Sequence, residues 1–220
     1  FFISSFRSNW PEIFSTNGYG DAAKVIVNVR GALGAASSGP DGRIAFASSN
    51  KGTMDIFVAG PQGQTPTRVL KAPSMEWVNT DPSWSPDGSR FALTGGPTGS
   101  PGIYLASSGG GPLQRVSTGY GYSTEPRWNP IVPNQLVFTY QEGSLRLGLI
   151  DLAAGSVTPI ETKSPVPIAH ASWCADGRHL VAAQGGWIAV IDSVTGKVTR
   201  LTPSSLGDCS EPDCWTRRAR

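Results

Sequence analysis

A tryptophan that recurs at a nearly constant interval constrains this 220-residue chain more than any other feature. Its four members are separated by 44, 45 and 42 residues: Trp84, Trp128, Trp173 and Trp215. An apolar run follows several of them, such as RFALT at 90–94 and HLVAA at 179–183. Self-similarity at a period of about 20–50 residues indicates structural units that stack side by side. The repeat therefore limits the fold before any single motif is considered.

Each repeat contains four strand-like runs, which we call strands a, b, c and d. Around Trp84 they are the run that holds the tryptophan, RFALT at 90–94, GIYLA at 102–106 and QRVSTG at 114–119. Pro-Asp-Gly separates strands a and b, and a glycine-rich turn separates strands c and d. No window keeps the spacing of an amphipathic helix. The pattern predicts an all-β chain of four-stranded antiparallel β-propeller blades.

Strand b occurs five times, so we count five repeat units. The first unit begins directly at its strand b, FFISS at 1–5, and the segment EPDCWTRRAR at 211–220 matches strand a alone. Either this last segment pairs beside FFISS and closes a ring of five blades, or an upstream blade is missing and the ring has six. We expect the six-bladed ring, with residues 1–220 forming a single propeller domain that is a fragment of a longer protein.

The acids of the recurring turns are interpreted as structural. Asp and Gly tolerate the left-handed conformations of tight hairpins, so Asp41, Asp87 and Asp176 are predicted to shape turns rather than bind metal or catalyse. Asp151 and Asp192 precede glycine turns and are expected to accept hydrogen bonds from their own backbone.

The recurring tryptophans are predicted to pack against the neighbouring sheet. Ser38 stands at the aligned position of the second unit, which disfavours a ring of ligand-stacking aromatics. Trp10, Trp77 and Trp187 fall outside the repeat and are the better candidates for surface contacts.

Signals for catalysis and cofactors are weak. No G-x-S-x-G motif occurs, and the two histidines, His170 and His179, begin strands a and b of one unit. We predict no enzyme activity, no cofactor and no metal. The net charge of +2, with scattered Lys and Arg, disfavours a nucleic-acid surface, and no apolar run is long enough for a transmembrane helix.

The three cysteines leave two alternatives open. Cys209 and Cys214 lie in a turn-rich tail and form a disulfide in an oxidising compartment, or these two and Cys174 are all small buried side chains. No C-x-x-C motif occurs, which disfavours zinc.

The loops that enter strand a are the predicted recognition surface. They are varied and partly aromatic, as in EWVNTDP at 76–82 and GYGYSTEP at 119–126, and we expect them to emerge on one face of the propeller. Such a polar and aromatic rim suits a protein partner better than a small substrate.

The unit DPSWSPDGSRFAL…GIYLA…QRVST resembles the TolB-type propeller repeat, and this resemblance covers essentially the whole chain. It implies a monomeric periplasmic propeller of the Tol–Pal cell-envelope system, preceded by a small α/β domain. One face would bind the peptidoglycan-associated lipoprotein Pal, and other Tol components would be further partners. By position, the Pal-facing residues would be Thr80, Asp81, Thr124, Glu125, His170 and Glu211. Two alternatives remain: the accessory propeller of a prolyl-oligopeptidase-like peptidase or of a sensor protein, and a lactonase-type enzyme that holds a metal.

Overall fold

The computed structural model describes residues 2–4, 11–16, 23–29, 31–203, 209–210 and 212–214. Within this part of the chain every regular element is a β-strand, and the nineteen strands form five antiparallel sheets. None of these residues belongs to a helix with the length and apolarity needed to cross a membrane. The chain divides into two compact units, Phe1–Val116 and Ser117–Arg220, and each is described by itself.

The first unit contains three sheets, each a simple meander in which consecutive strands pair. The first is three-stranded: β1 (Phe2–Ser4), β2 (Glu12–Ser15) and β3 (Lys24–Asn28). The second comprises β4 (Leu33–Ser38), β5 (Ile44–Ser48), β6 (Asp55–Ala59) and β7 (Thr67–Leu70). The third comprises β8 (Trp77–Trp84), β9 (Arg90–Pro97), β10 (Gly102–Ser107) and β11 (Gln114–Val116).

The second unit contains two further meanders of four strands. One comprises β12 (Ser123–Trp128), β13 (Gln135–Glu142), β14 (Ser144–Asp151) and β15 (Ser156–Pro159). The other comprises β16 (Ile168–Trp173), β17 (His179–Gln184), β18 (Trp187–Asp192) and β19 (Val198–Arg200). In all four-stranded sheets the strands follow the predicted order a, b, c and d.

The middle strands of the second sheet are buried on both faces, which explains their continuous apolar runs. All five residues of β5 (IAFAS) and of β6 (DIFVA) are buried. Within each unit the side chains of one sheet form a core with those of the next, as where Trp84 of β8 meets Ala45 and Ala47 of β5. A strand covered on both sides loses the alternating pattern of a strand with one wet face.

The tryptophan of strand a links successive sheets through a hydrogen bond as well as through packing. Trp84 Nε1 donates to the carbonyl oxygen of Ser37 in β4 at 3.3 Å. Trp173 Nε1 donates to the carbonyl oxygen of Arg127 in β12 at 3.0 Å. Both side chains, like that of Trp128, are buried, whereas Trp215 lies outside the described residues. The indoles of Trp84 and Trp173 therefore each bond the strand a that precedes them in the same unit.

The all-β prediction and the four-stranded antiparallel blades are confirmed. The described residues give four complete four-stranded sheets and one three-stranded sheet. The single domain over 1–220 and the six-bladed ring stay predictions, because 215–220, with much of 1–22, fall outside the described part. The turn acids behave as predicted: Asp87 Oδ1 accepts from Ser89 N, and Asp151 Oδ1 accepts from Ala153 N.

The cysteine predictions need a correction. The disulfide joins Cys174 to Cys214, with 4.9 Å between their Cα atoms, and not Cys209 to Cys214. The alternative with three unbridged cysteines is wrong as well. Cys174 follows the tryptophan of strand a, so the bond ties the segment 212–214 to the last sheet, and Ser172 Oγ adds a hydrogen bond to Asp213 at 2.7 Å. Pairing by closeness in the sequence fails here because the sheet brings residues 40 positions apart into contact.

Candidate protein-binding site at the strand-a bulges

Strand a of each four-stranded sheet contains a β-bulge. In β8 the pairing with β9 jumps between Thr80 and Ser83, so Asp81 and Pro82 together oppose a single residue. The same shift occurs in β12 between Thr124 and Arg127, and in β16 between Ala169 and Ser172. A bulge redirects the side chain at its extra residue, and bulges are common beside functional sites.

A non-glycine residue with positive φ occupies three of these bulges. The φ angles are 51° at Asp81, 58° at Glu125 and 55° at His170. In the described residues the one other non-glycine residue with positive φ is Asn134, in a turn. Such backbone costs of order 1 kcal/mol or more for a residue with a side chain, and it concentrates at functional sites. Three residues predicted from the family resemblance thus share one strained position.

The second sheet carries the bulge without a polar side chain. In β4 the register shifts between Leu33 and Ala36, and Gly34 and Ala35 fill the bulge. A Cβ on Gly34 would lie 3.0 Å from Thr80 Oγ1, so a larger side chain there would crowd the neighbouring bulge. The half-buried Thr80 also lies 3.4 Å, Oγ1 to Oδ1, from Asp81.

Glu125 and His170 come together from the two sheets of the second unit. His170 Nδ1 lies 2.9 Å from Glu125 Oε1, and the backbone N–H of His170 donates to Glu125 Oε2 at 2.9 Å. Thr139 Oγ1 donates to the same Oε2 at 2.8 Å. The side chains of Glu125 and His170 are 17% and 39% exposed. The carboxylate therefore supports the bulge of the next sheet, and the imidazole remains accessible.

The electrostatics favour an ionised Glu125. Burial raises the pKa of its carboxyl, but the hydrogen bond and charge of His170, with the bond from Thr139, outweigh burial and leave the pKa below its ordinary value. The carboxylate is thus a fixed negative group beside the His170 ring.

An aromatic group lies just before the bulge of β12. Tyr120 stacks on Tyr140 with 3.9 Å between ring centroids, and Tyr122 is 38% exposed. Burial, followed by the hydrogen bond and charge of Tyr120, raises the pKa of Tyr140 to about 12. The two rings anchor a loop that presents Tyr122 at the surface.

Of the remaining predicted site residues, one is buried and one lies outside the described residues. Thr124 is 8% exposed, so its side chain belongs to the interior rather than to a contact surface. Glu211 lies outside the described residues. The left-handed bulge itself was not predicted. Two of its three occurrences show an acid–proline step before the tryptophan, DPSW at 81–84 and EPRW at 125–128, whereas HASW at 170–173 lacks it.

The other candidate residues lie outside the bulges in the described part of the chain. No group of three His, Cys, Asp or Glu side chains there is placed to hold a metal ion. His179 Nδ1 lies 2.6 Å from Asp176 Oδ2 within one turn. Trp77 lies edge-on to Tyr104 with 5.8 Å between ring centroids, and the guanidinium carbon of Arg200 lies 4.5 Å from the Trp187 ring centre. Trp10 lies outside the described residues.

Comparisons with known proteins agree with the propeller fold. A family model described as the TolB beta propeller domain matches residues 2–216. The Tol-Pal system protein TolB of Desulfosudis oleivorans is 34% identical over 65 residues, which is 30% of this chain and 14% of that protein.

Solved structures at low sequence identity also share the fold. The crystal structure of TolB from Acinetobacter baumannii superimposes with a TM-score of 0.78 at 21% identity, over 96% of this chain and 53% of that one. A puromycin-hydrolyzing peptidase of Mycobacterium tuberculosis gives a TM-score of 0.62 at 19% identity, over 88% of this chain and 33% of that one. The chain thus spans about half of the Acinetobacter protein and less of the other two.

Proposed function

Because this chain belongs to the TolB β-propeller family, we propose that it is a non-enzymatic binding protein of the Tol–Pal cell-envelope system that acts in the periplasm. Its partner is a Pal-like peptidoglycan-associated lipoprotein, with other Tol components as further partners. In each unit, the binding residues lie at its own strand-a bulges and in the loops that enter them.

One observation carries this proposal: Asp81, Glu125 and His170 occupy the same left-handed bulge position in three sheets. The backbone there favours glycine, yet the sequence places a polar or charged side chain each time. Strain of this kind suggests a role for the side chains beyond the fold. Carboxylate, imidazole and phenol side chains are suited to hydrogen bonding with a protein surface.

Thr80 and Glu211 complete the proposed set with the bulge residues, and Thr124 would contribute through its backbone. The Cys174–Cys214 disulfide is consistent with an oxidising compartment such as the periplasm.

Calorimetric titration of the chain with the soluble domain of a Pal-like lipoprotein tests the proposal. Asp81→Asn is the informative variant, because asparagine tolerates the left-handed backbone and removes the charge alone. We expect Asp81→Asn and His170→Asn each to weaken binding about tenfold, as for the loss of an interfacial charged hydrogen bond. Asp151→Asn, which changes an exposed acid at the end of β14, is the matched control and should bind as the unmodified chain does. No binding by the unmodified chain overturns the proposal.

The likeness to the mycobacterial peptidase supports a second candidate, the accessory propeller of a serine peptidase. Treating the natural full-length protein with a fluorophosphonate probe separates the two. Covalent labelling of a serine would favour the peptidase, and no labelling together with lipoprotein binding would favour the first candidate.

A further inference from the structure

A second surface of the second unit lies on elements other than the bulges. It is a groove of about 570 Å³ beside the outer strand β19. We call it the basic groove and define it by Lys163, Gln184, Trp187, Lys197, Val198 and Arg200. Lys163 follows β15, and the other five residues come from the last sheet and its turns. The groove is therefore built where two consecutive sheets of one unit meet.

The groove concentrates positive charge. Three of its side chains are cationic, no carboxylate of the described residues lines it, and the whole chain has a net charge of +2. Glu161 is exposed two residues before Lys163, but it is not part of the lining. No described acidic residue forms an ion pair with Lys163, Lys197 or Arg200. The local field thus favours an anionic ligand.

One wall of the groove is fixed in place. The Arg200 guanidinium lies over the half-buried Trp187 ring, and its Nε donates to the carbonyl oxygen of Thr202 at 2.8 Å. Gln184 is 3% exposed, and its Nε2 donates to Ser164 Oγ at 2.9 Å. A cation held in this way loses little conformational freedom when it binds a ligand.

The backbone beside the groove can pair with an extended chain. β19 is the outer strand of its sheet, and no described strand pairs with its second edge. An extended peptide can add to such an edge through main-chain hydrogen bonds while its side chains select the partner. Val198 and Trp187 supply apolar contacts between the cations.

We propose that the basic groove binds an extended acidic peptide segment of a protein partner, with its carboxylates on Lys163, Lys197 and Arg200 and its apolar side chains on Trp187 and Val198. The size of the groove and its mixed lining favour a peptide over a single inorganic anion. This site does not depend on the strand-a bulges, so it is tested separately from lipoprotein binding.

The experiment uses the full chain labelled with ¹⁵N and a peptide of about eight alternating glutamate and valine residues. We expect amide shifts confined to 163–164, 184–187 and 195–202, and binding that weakens as salt is added. The triple variant Lys163→Gln, Lys197→Gln and Arg200→Gln should bind about tenfold more weakly. The matched control neutralises three exposed cations elsewhere, Lys51, Lys71 and Arg146, and should bind as the unmodified chain does.

Several outcomes would overturn the proposal. One is that a lysine–valine peptide binds as tightly as the glutamate–valine peptide. Another is that inorganic phosphate causes amide shifts as large as those caused by the glutamate–valine peptide. A third is that the triple variant binds the glutamate–valine peptide as tightly as the unmodified chain does. Cations on an edge strand also protect against aggregation, so the triple variant is checked by size-exclusion chromatography. If it aggregates, Lys163→Glu, which lies outside the strand, replaces it, and unchanged binding by that variant counts against the groove.

Discussion

The carboxylate of Glu125 binds His170 of the next sheet at two points, the ring nitrogen Nδ1 and the backbone N–H, each at 2.9 Å. The second contact satisfies a backbone donor at a bulge, where the regular ladder is interrupted. One residue thus supports its neighbour's strained backbone and positions its ring. Replacing Glu125 therefore measures what the carboxylate contributes to stability, apart from any contact that the His170 ring makes with a partner.

Glu125→Gln should lower the free energy of unfolding by about 1–2 kcal/mol at neutral pH, because a charged hydrogen-bond acceptor becomes a neutral one. Since the pKa of Glu125 is lowered in the folded chain, its stabilising contribution is present above its ordinary pKa of 4.5 and is lost as the pH falls through the folded value. In urea unfolding measured from pH 7 to pH 3, the free energy of unfolding should fall less steeply with acid in the variant than in the unmodified chain. The exposed Glu142→Gln is the control, and an identical acid profile in Glu125→Gln would contradict the prediction.

Removing the disulfide should cost about 3–4 kcal/mol in the free energy of unfolding, because the bond closes a loop of 40 residues in the unfolded chain. The test compares urea unfolding of the double variant Cys174→Ser and Cys214→Ser with that of the unmodified chain, with and without reductant. Cys209→Ser is the control and should keep its sensitivity to reductant. Peptide mapping without reduction should recover residues 174 and 214 in one fragment, and a 209–214 pair would refute the assignment.

Trp173→Ala should lower the free energy of unfolding by about 3–5 kcal/mol, as for other buried aromatic side chains. Trp173→Phe keeps most of the packing but loses the hydrogen bond to the Arg127 carbonyl, so we expect a loss of about 1–2 kcal/mol. The comparison is Trp187→Phe, which makes the same change at a half-buried tryptophan. Equal losses for the two phenylalanine variants would argue against the inter-sheet hydrogen bond.

Two glycines with similar backbone conformations allow the cost of a left-handed residue to be measured apart from the cost of a steric contact. Gly196 has φ +67°, and a Cβ there would lie 2.0 Å from the Glu161 carbonyl oxygen, whereas Gly155 has φ +64° and nothing within 4 Å. Gly155→Ala should cost about 1 kcal/mol from its left-handed backbone alone. Gly196→Ala should cost about 1–3 kcal/mol more, because two neighbouring sheets must move apart. Thermal unfolding of both variants measures the difference, and equal losses would refute the contact.

The repeat period predicts the sheets well because each blade is built from local hairpins whose turn residues are visible in the sequence. The Pro-Asp-Gly turn before Arg90 is an example, with Ser85 N donating to the Arg90 carbonyl oxygen. The left-handed backbone at Asp81 depends on register against β9, which composition does not encode. The Cys174–Cys214 pair and the basic groove depend on how distant segments meet, so no local pattern predicts them.

The indole bonds from Trp84 to Ser37 and from Trp173 to Arg127 also bear on how such a chain is inherited. In both pairs the donor and the acceptor sit in different copies of the repeat, so these copies depend on their neighbours. A duplication or deletion of one whole repeat period keeps such a donor and acceptor in register, whereas one of part of a period separates them. Copies of this repeat can therefore be gained or lost without breaking these bonds only in whole periods.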